Sequence, residues 1–474
     1  MLYFTSFFQL FSYYKYQTLQ LKDFLMTSSI LKRTLKWTLY SISILIVLIL
    51  IAFLFLFRNA IYNRYVEFPR EKQAWEEIRR QYQPPAYDDG WNDYAGVCHS
   101  HSELSHDSQV PFEEILRALK QEKRQFICMS DHCDEGKADY SKQWRGEHDG
   151  VVFIPGYEMN YGFMPWGLPT DTVLDCKKDP ESLAKEIHEK GGLLFFAHSE
   201  EPREWQLPEL NGMEIYNIHT NFKSLDKKFI LYKLAPNIIL NLNKYHEQLL
   251  RSIFSPMTEV IKRWDEMNIS RKIVGIAAND CHQNTGFVGK ITPQGTLYIE
   301  DTSPHKIGEY KLNFFSRLLL RVLFGKLEPG KTVFHVQLDP YPTMVRYVST
   351  HILAHDLSEQ SILESLKEGR VFVGFEMLAE TTGFVFFADD GNVKAVCGER
   401  IPLTPNLSLK MASPYPCKFI IYRHGIAVQE HEGRDFEWKP TEQGKYRVEA
   451  QLYLNLSLIH ISEPTRLLSI SYAV

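Results

Sequence analysis

The chain has 474 residues, 44% of them hydrophobic and 23% charged, with a formal net charge of -5 and seven cysteines. That length has room for about three domains, and the composition suits a globular protein carrying a membrane segment. The mild acidity leaves no electrostatic footprint for nucleic acid, and an odd number of cysteines without zinc-finger spacing indicates no disulfide framework.

The N-terminal segment, residues 1–36, has Met26 as an alternative start, because the residues before it add aromatic bulk without a pattern. Trp37 to Phe57 contains no charged residue and is rich in Ile, Leu, Val and Phe. At helical rise about 20 such residues cross the hydrocarbon core, so this stretch predicts a transmembrane helix. Lys32, Arg33 and Lys36 precede it and no small-residue cleavage site follows, which predicts a retained anchor with its N-terminus in the cytoplasm and the rest of the chain outside. Residues 58–93 are polar, carry Gln83-Pro84-Pro85, and read as a tether.

From 94 to 375, short apolar runs alternate with amphipathic helix patterns. Tyr94–Cys98 ends in His99 and His101, which lie two apart and so face the same side of an extended chain. Phe126–Met129 runs into Asp131 and His132, Val151–Ile154 leads to Glu158, and Leu193–Ala197 leads to His198. Met213–Asn217 carries Glu214 and Asn217, and Ile273–Ala278 delivers Asp280 and His282. Between them, Phe112, Ile115, Leu116 and Leu119 share a helical face after Pro111, and Leu183 and Ile187 precede the stop Gly191-Gly192. The alternation predicts an α/β fold with a parallel sheet, a distorted (β/α) barrel whose polar clusters all fall at the C-terminal strand ends. Imidazole and carboxylate together suit Zn, Mn or Fe and hydrolytic chemistry. Cys133 and Cys281 lie beside the candidate ligands and could be outer residues of the site.

His305 to Lys331 interleaves Phe314-Phe315 and Leu318-Leu319-Leu320 with Arg317, Arg321 and Lys326. This is either a basic amphipathic helix on a membrane surface or a stripe packed on its own domain. Ser358 to Lys367 reads as a helix stopped by Gly369, followed by a strand at Val371–Val373. Residues 382–455 are strand-rich, with turns at Asp389-Asp390-Gly391 and His424-Gly425, and predict a small β-sandwich that is a spacer or a binding surface. The last stretch, 457–474, breaks the pattern and resembles read-through of a sequencing adapter, so it is left outside the fold with a final sandwich strand expected beyond the native sequence.

The ordered motifs His99-Ser-His101-Ser, Ser130-Asp131-His132, Pro155-Gly156-Tyr157-Glu158, Ala197-His198, Gly212 to Asn217 and Asn279-Asp280-Cys281-His282 resemble those of the PHP (polymerase and histidinol phosphatase) domain. The resemblance implies a distorted (β/α)7 barrel, up to three divalent metal ions and phosphoester hydrolysis. It implies His99, His101, His132, Glu158, His198, Asp280 and His282 as ligands, with Asp107 a further ligand in competition with His106. Asn279 stands where the family often has Ser. Asn217 or His219 would supply an extra ligand, and Glu214 is either a ligand or a residue orienting a histidine. His198 is a ligand or a proton donor to the leaving group, and Arg203 either holds a phosphate oxygen or balances Glu200 and Glu204 at the surface. The C-terminal strands resemble the immunoglobulin-like appendage that follows some PHP domains.

Together these readings predict a single-pass membrane phosphoesterase acting on a small-molecule or lipid-like phosphoester, that is, a phosphatase or phosphodiesterase, with its oligomeric state open. The alternatives are a membrane-anchored binding protein with a weak site, and a metal-dependent hydrolase of another ester or an amide.

Overall fold

The computed structural model describes residues 3–302, 304–452 and 467–473. The chain divides into two compact units, residues 1–68 with 226–249, and 69–225 with 250–474.

In the first unit, helix α1 (Tyr3–Tyr62) carries Trp37–Phe57 without interruption. It belongs to the one stretch, among the described residues, long and apolar enough to cross a membrane. The successive residues Leu45, Ile46, Val47 and Leu48, which point to all sides of it, lie exposed, an all-round apolarity rather than the single stripe of a surface helix. Residues 226–249 group with this helix, not with the rest of the 94–375 region to which their sequence position assigns them. The reason is polar anchoring: the Asn237 side chain accepts from Asn63 at 3.1 Å, and Asn241 donates to the Ala60 carbonyl at 3.0 Å.

The expected tether is helical for most of its length. A π-helical turn at Asn63–Glu67 leads into α2 (Phe68–Arg79), where Trp75 is buried and Arg79 donates to the carbonyls of Met377 and Leu378.

The second unit is mixed α/β. Its strands are β1 (Asn92–Ser100), β2 (Phe126–Cys128), β3 (Val151–Ile154), β4 (Phe163–Trp166), β5 (Leu193–Phe196), β6 (Leu210–Asn217) and β7 (Val274–Cys281). They lie side by side in the order β3-β2-β1-β7-β6-β5-β4, parallel except for β4 against β5. An isolated bridge from Trp166 at the end of β4 to Gly156 just past β3 brings the two ends of the row together. Gly156 is required there, because a Cβ would sit 2.3 Å from the Trp166 ring. Phe126, Cys128, Val152, Ile154, Phe195 and Ile276 belong to one buried cluster, which is why these strands read as continuous apolar runs.

Helices cover the row where the sequence signals them. In α3 (Phe112–Gln121), Phe112, Ile115 and Leu119 are buried. Asp179 caps α4 (Pro180–Glu189) by accepting from the Ser182 amide, and Gly191 with φ 84° ends the turn after it. Helix α5 (Thr258–Ser270) precedes β7. Beyond β7 an antiparallel sheet of β8 (Gly286–Ile291), β9 (Leu297–Asp301), β10 (Lys306–Tyr310) and β11 (Thr332–Gln337) carries α6 (Phe314–Phe324) between its last two strands.

Strand β12 (Ser349–Ala354) then pairs antiparallel with β1 and with β13 (Val371–Gly374), separated from it by α7 (Glu359–Glu368) with Ser358 as cap and Gly369 in the left-handed conformation. The C-terminal strands are β14 (Val385–Asp389), β15 (Lys394–Val396), β16 (Ser408–Arg423), β17 (Ile426–Trp438) and β18 (Tyr446–Gln451), all antiparallel. A final strand β19 (Leu467–Ala473) lies between β18 and β13, so one sixteen-stranded sheet runs through both parts of the unit. Residues 467–473 of the tail, left outside the fold in the sequence reading, are placed here as a strand against β13 and β18. Residues 457–466 of that tail lie outside the described residues.

A second correction concerns the cysteines. Cys133 and Cys176, 43 residues apart, form a disulfide. Antiparallel pairing of Lys137–Asp139 with Val173–Asp175 draws their segments together, and nothing in the local spacing announces it. The other five cysteines are free and buried.

Candidate metal centre

Every strand-end cluster named from the sequence arrives at one place, because parallel strands deliver their C-terminal ends to the same side of the sheet. Four overlapping groups of ligand atoms form there: His101, Asp107, His132 and His282; His99, His198 and Asp280; His99, His101 and Glu158; and His219, Asp280 and His282. Within each, the ligand atoms lie within 4.8 Å of one another.

The outer nitrogens of the histidines are fixed by the protein. His99 Nδ1 lies 2.5 Å from Glu214 Oε1, His101 Nδ1 lies 3.1 Å from Ser105 Oγ, and His282 Nδ1 lies 3.0 Å from the Asp280 carbonyl. Each of these oxygens accepts most simply from an Nδ1–H, an assignment that turns the Nε2 lone pair inward. His99 Nε2 and His101 Nε2 then face each other at 3.1 Å, and both approach Asp280 Oδ1, at 3.2 and 3.4 Å. A pair this close is held either by a shared cation or by a proton that His99 donates to His101.

Asp280 supplies a sign of the cation. Its carboxylate is buried and neither oxygen has a partner in hydrogen-bond geometry, although His198 Nε2 stands 3.6 Å and His219 Nδ1 3.1 Å from Oδ2. The nitrogens surround the carboxylate without pointing at it, as ligands of a shared ion do. A buried anion otherwise left unsatisfied is costly, so the donor set fits divalent metal.

On the other side, Asp107 Oδ2 lies 3.2 Å from His132 Nε2 and 3.1 Å from His282 Nε2. Glu158 connects the groups, with Oε2 at 3.2 Å from His99 Nε2 and Oε1 at 3.3 Å from His198 Nε2. The backbone is left-handed at His99 (φ 66°), His198 (φ 47°) and Asp280 (φ 49°). Such a conformation costs non-glycine residues on the order of 1–3 kcal/mol, and its concentration on three candidate ligands is typical of a functional site.

The electrostatics follow from mixing carboxylates with imidazoles in a buried space. Burial opposes charge on His99, but the carboxylates of Asp280, Glu214 and Glu158 outweigh it and hold its pKa well above the usual value. Burial likewise opposes charge on His198, where Glu158 and Glu200 prevail and raise the pKa to about 10. His101, desolvated and beside His282, drops to about 3. Burial works against ionised Glu158 and Asp280 too, yet the surrounding histidines keep both carboxyls well below the ordinary range. This field of fixed anions attracts cations.

Of the competing pair, Asp107 is in the cluster, whereas His106 is exposed and stacks its ring 4.8 Å from that of His132. Glu214 is outside the four ligand groups; its second oxygen accepts from the His198 amide at 2.8 Å and from Asn217 at 3.0 Å. Asn217 is thereby engaged, and His219 stands beside Asp280. Asp131 faces its own loops, accepting from the Ser102 amide and hydroxyl and from Gln143, and burial pushes its pKa up to about 6. Arg203 donates to the Ala197 carbonyl at 3.0 Å and pairs with Glu201, not with Glu200 or Glu204. Glu200 instead accepts from Thr220 and faces His198 Nδ1 at 3.4 Å.

Sequence reasoning missed three supporting residues. Ser105 accepts from the His132 amide, faces His101, and donates to Asp107 at 2.9 Å. Tyr341 reaches from far along the chain to donate to the His101 carbonyl at 3.1 Å, and Gln143 positions Asp131. Ser105 lies within the motif region and was within reach of the sequence; a lone tyrosine 240 residues away gives no signal.

No protein-family model matches the chain, and no curated protein does. Among solved structures it is similar to a two-domain protein of Bacteroides vulgatus ATCC 8482 containing a predicted PHP-like metal-dependent phosphoesterase. The identity is 13%, the alignment covers 82% of this chain and 97% of that one, and the TM-score is 0.35.

Proposed function

We infer that the protein is a membrane-anchored, metal-dependent phosphoesterase of PHP type, with its strand row forming a distorted (β/α)7 barrel and its C-terminal strands a β-sandwich. The observation that carries this reading is Asp280, a buried carboxylate without hydrogen-bond partners, ringed by the nitrogens of His99, His101, His198 and His219. On this reading His99, His101, Asp107, His132, Glu158, His198, Asp280 and His282 hold up to three Mn, Fe or Zn ions. Bound there, such ions acidify water and polarise the attacking and leaving oxygens of a phosphoryl group.

The chain's own residues do the rest. Glu214 and Ser105 fix the rings of His99 and His101, and Glu158 and Asp280 supply the negative charge that sets cations side by side. His198, whose Nδ1 faces Glu200, holds a proton readily and is placed to give it to a leaving oxygen wherever it is not a ligand. The leading substrates are small-molecule or lipid-like phosphoesters. With Lys32, Arg33 and Lys36 inside, the catalytic region lies outside the cytoplasm.

The test is hydrolysis of p-nitrophenyl phosphate and its bis ester by the full chain with added Mn, Fe or Zn, comparing wild type with Asp280→Asn. Metal-dependent turnover that collapses in the variant supports the reading. Folded, metal-loaded wild type without turnover on any phosphoester would move the assignment to a binding protein or to hydrolysis of another ester or an amide.

A further inference from the structure

Helix α6 presents to solvent the residues a soluble surface usually hides. Phe315, Leu318, Leu319 and Val322 follow the i, i+3, i+4, i+7 spacing of one helical face, and all are exposed, Phe315 at 78% and Val322 at 75%. Phe314, at 74%, extends the face at its start. The opposite side makes the contacts with the sheet beneath: Phe324 lies 5.3 Å from the Phe334 ring, and Leu320 and Leu327 are half-buried. The sheet adds exposed Phe287, Ile307 and Tyr310 to the same module. The stripe is therefore not the packing face of its own domain, which was the other reading of this segment.

Charge indicates what it meets. Between Lys311 and Lys331 the sequence holds Lys311, Arg317, Arg321, Lys326 and Lys331 against a single acid, Glu328, in a chain whose net charge is -5. Glu328 is paired with Lys331. An apolar stripe flanked by long cationic side chains matches the boundary between acyl chains and anionic headgroups, with lysine and arginine stems reaching up to the phosphates. The same chain carries a helix long and apolar enough to cross a membrane, so a lipid surface would be at hand.

We propose that α6 is an interfacial helix, lying in the surface of an anionic membrane with Phe314, Phe315, Leu318, Leu319 and Val322 among the acyl chains and Arg321 and Lys326 on the headgroups, while Arg317 on the opposite side donates to the Gly295 carbonyl at 2.9 Å. This contact is separate from the transmembrane anchor and does not depend on the phosphoesterase reading. It would give the second unit its own grip on lipid.

The cysteine inventory makes a direct test possible, since five native thiols are buried and the other two are joined. Full-length protein carrying Phe315→Cys, labelled with bimane, is reconstituted into phosphatidylcholine vesicles containing phosphatidylglycerol and nitroxide-labelled lipid. The control is Val393→Cys, on an exposed turn of the C-terminal strands. The label at 315 should shift to the blue and lose at least half its emission to the nitroxide, while the label at 393 keeps its own. Adding Arg321→Glu with Lys326→Glu should restore emission at 315. Equal quenching at both positions, or none at 315, overturns the proposal. A label at 315 shielded from aqueous iodide but untouched by the nitroxide would mean that protein, a second copy included, covers the face. Quenching that survives the charge reversal would refute the role of Arg321 and Lys326.

Discussion

Glu214 Oε1 lies 2.5 Å from His99 Nδ1, while its other oxygen accepts from the His198 amide and from Asn217, so one buried carboxylate sets two candidate ligands at once. Replacing it with Gln leaves volume nearly unchanged and removes the charge that fixes the His99 ring. Metal affinity or activity should fall by roughly 10–100-fold, the usual effect of losing a partner that orients a ligand. Titration with Mn and Zn would measure it, and an unchanged affinity would show that Glu214 is dispensable.

Changing His99 and His101 together to Ala removes atoms shared among all four ligand groups except the one built on His219. The double variant should lose most of its bound metal, as read by elemental analysis of the folded protein. Because an ion that binds only the folded chain stabilises it by mass action, chelator should lower the Tm of wild type more than that of the variant.

The disulfide ties the segment that follows His132 to the strand before α4. Cys133→Ser with Cys176→Ser opens a closed loop of 43 residues, for which chain entropy gives a loss of roughly 4 kcal/mol at most. In urea denaturation, wild type with reductant should show the same lowered midpoint as the double variant, and wild type without reductant a higher one. Identical midpoints in all cases would contradict a stabilising bond.

Away from the metal centre, the pH dependence of stability should be set in part by His351. It is fully buried, with Nδ1 at 2.6 Å from Asp93 and Nε2 at 3.0 Å from Glu376, which also meets Arg124. Burial opposes its charge, but Asp93 and Glu376 prevail and raise its pKa to about 9. A folded-state pKa above the unfolded value near 6.5 means the contribution, roughly 3 kcal/mol, is complete below pH 6.5 and disappears as pH rises through 9. Glu376 behaves oppositely. Burial raises its pKa, Arg124 and His351 lower it further to about 2, and its contribution is complete above about pH 4.5 and lost toward pH 2. Denaturation midpoints of His351→Gln should therefore lie well below wild type at pH 6 and approach it near pH 9.5.

Topology is open to a simple fusion. If Lys32, Arg33 and Lys36 retain the N-terminus in the cytoplasm, alkaline phosphatase joined after Pro85 should be active and a cytoplasmic reporter at the same point silent. The reverse pattern would invert the orientation.

What the sequence disclosed, it disclosed through periodicity and position. Continuous apolar runs such as Phe126–Cys128 and Val151–Ile154 are strands because both faces are buried, and residues at their C-terminal ends converge because the strands are parallel. His99, Asp280 and His282 could thus be named as candidate ligands before any geometry was known. Contacts made by distant segments could not. Tyr341 on His101, Cys176 on Cys133 and the Arg124–Glu376–His351 network join residues that no local pattern relates. The grouping of 226–249 with α1 escaped for the same reason, since Asn237 and Asn241 look like ordinary helix residues until their partners are known.

The strand β19 joins β13 to β18, so hydrogen bonding passes unbroken from β1, which carries His99, to the far edge of the C-terminal strands. Cutting the chain after β13, where sequence alone suggests a domain border, would leave the outer edge of β13 without its partners at Phe372, Val373 and Gly374. Such a fragment would be prone to self-association, and a poor yield from it would speak to its exposed edge, not to the chemistry of the site.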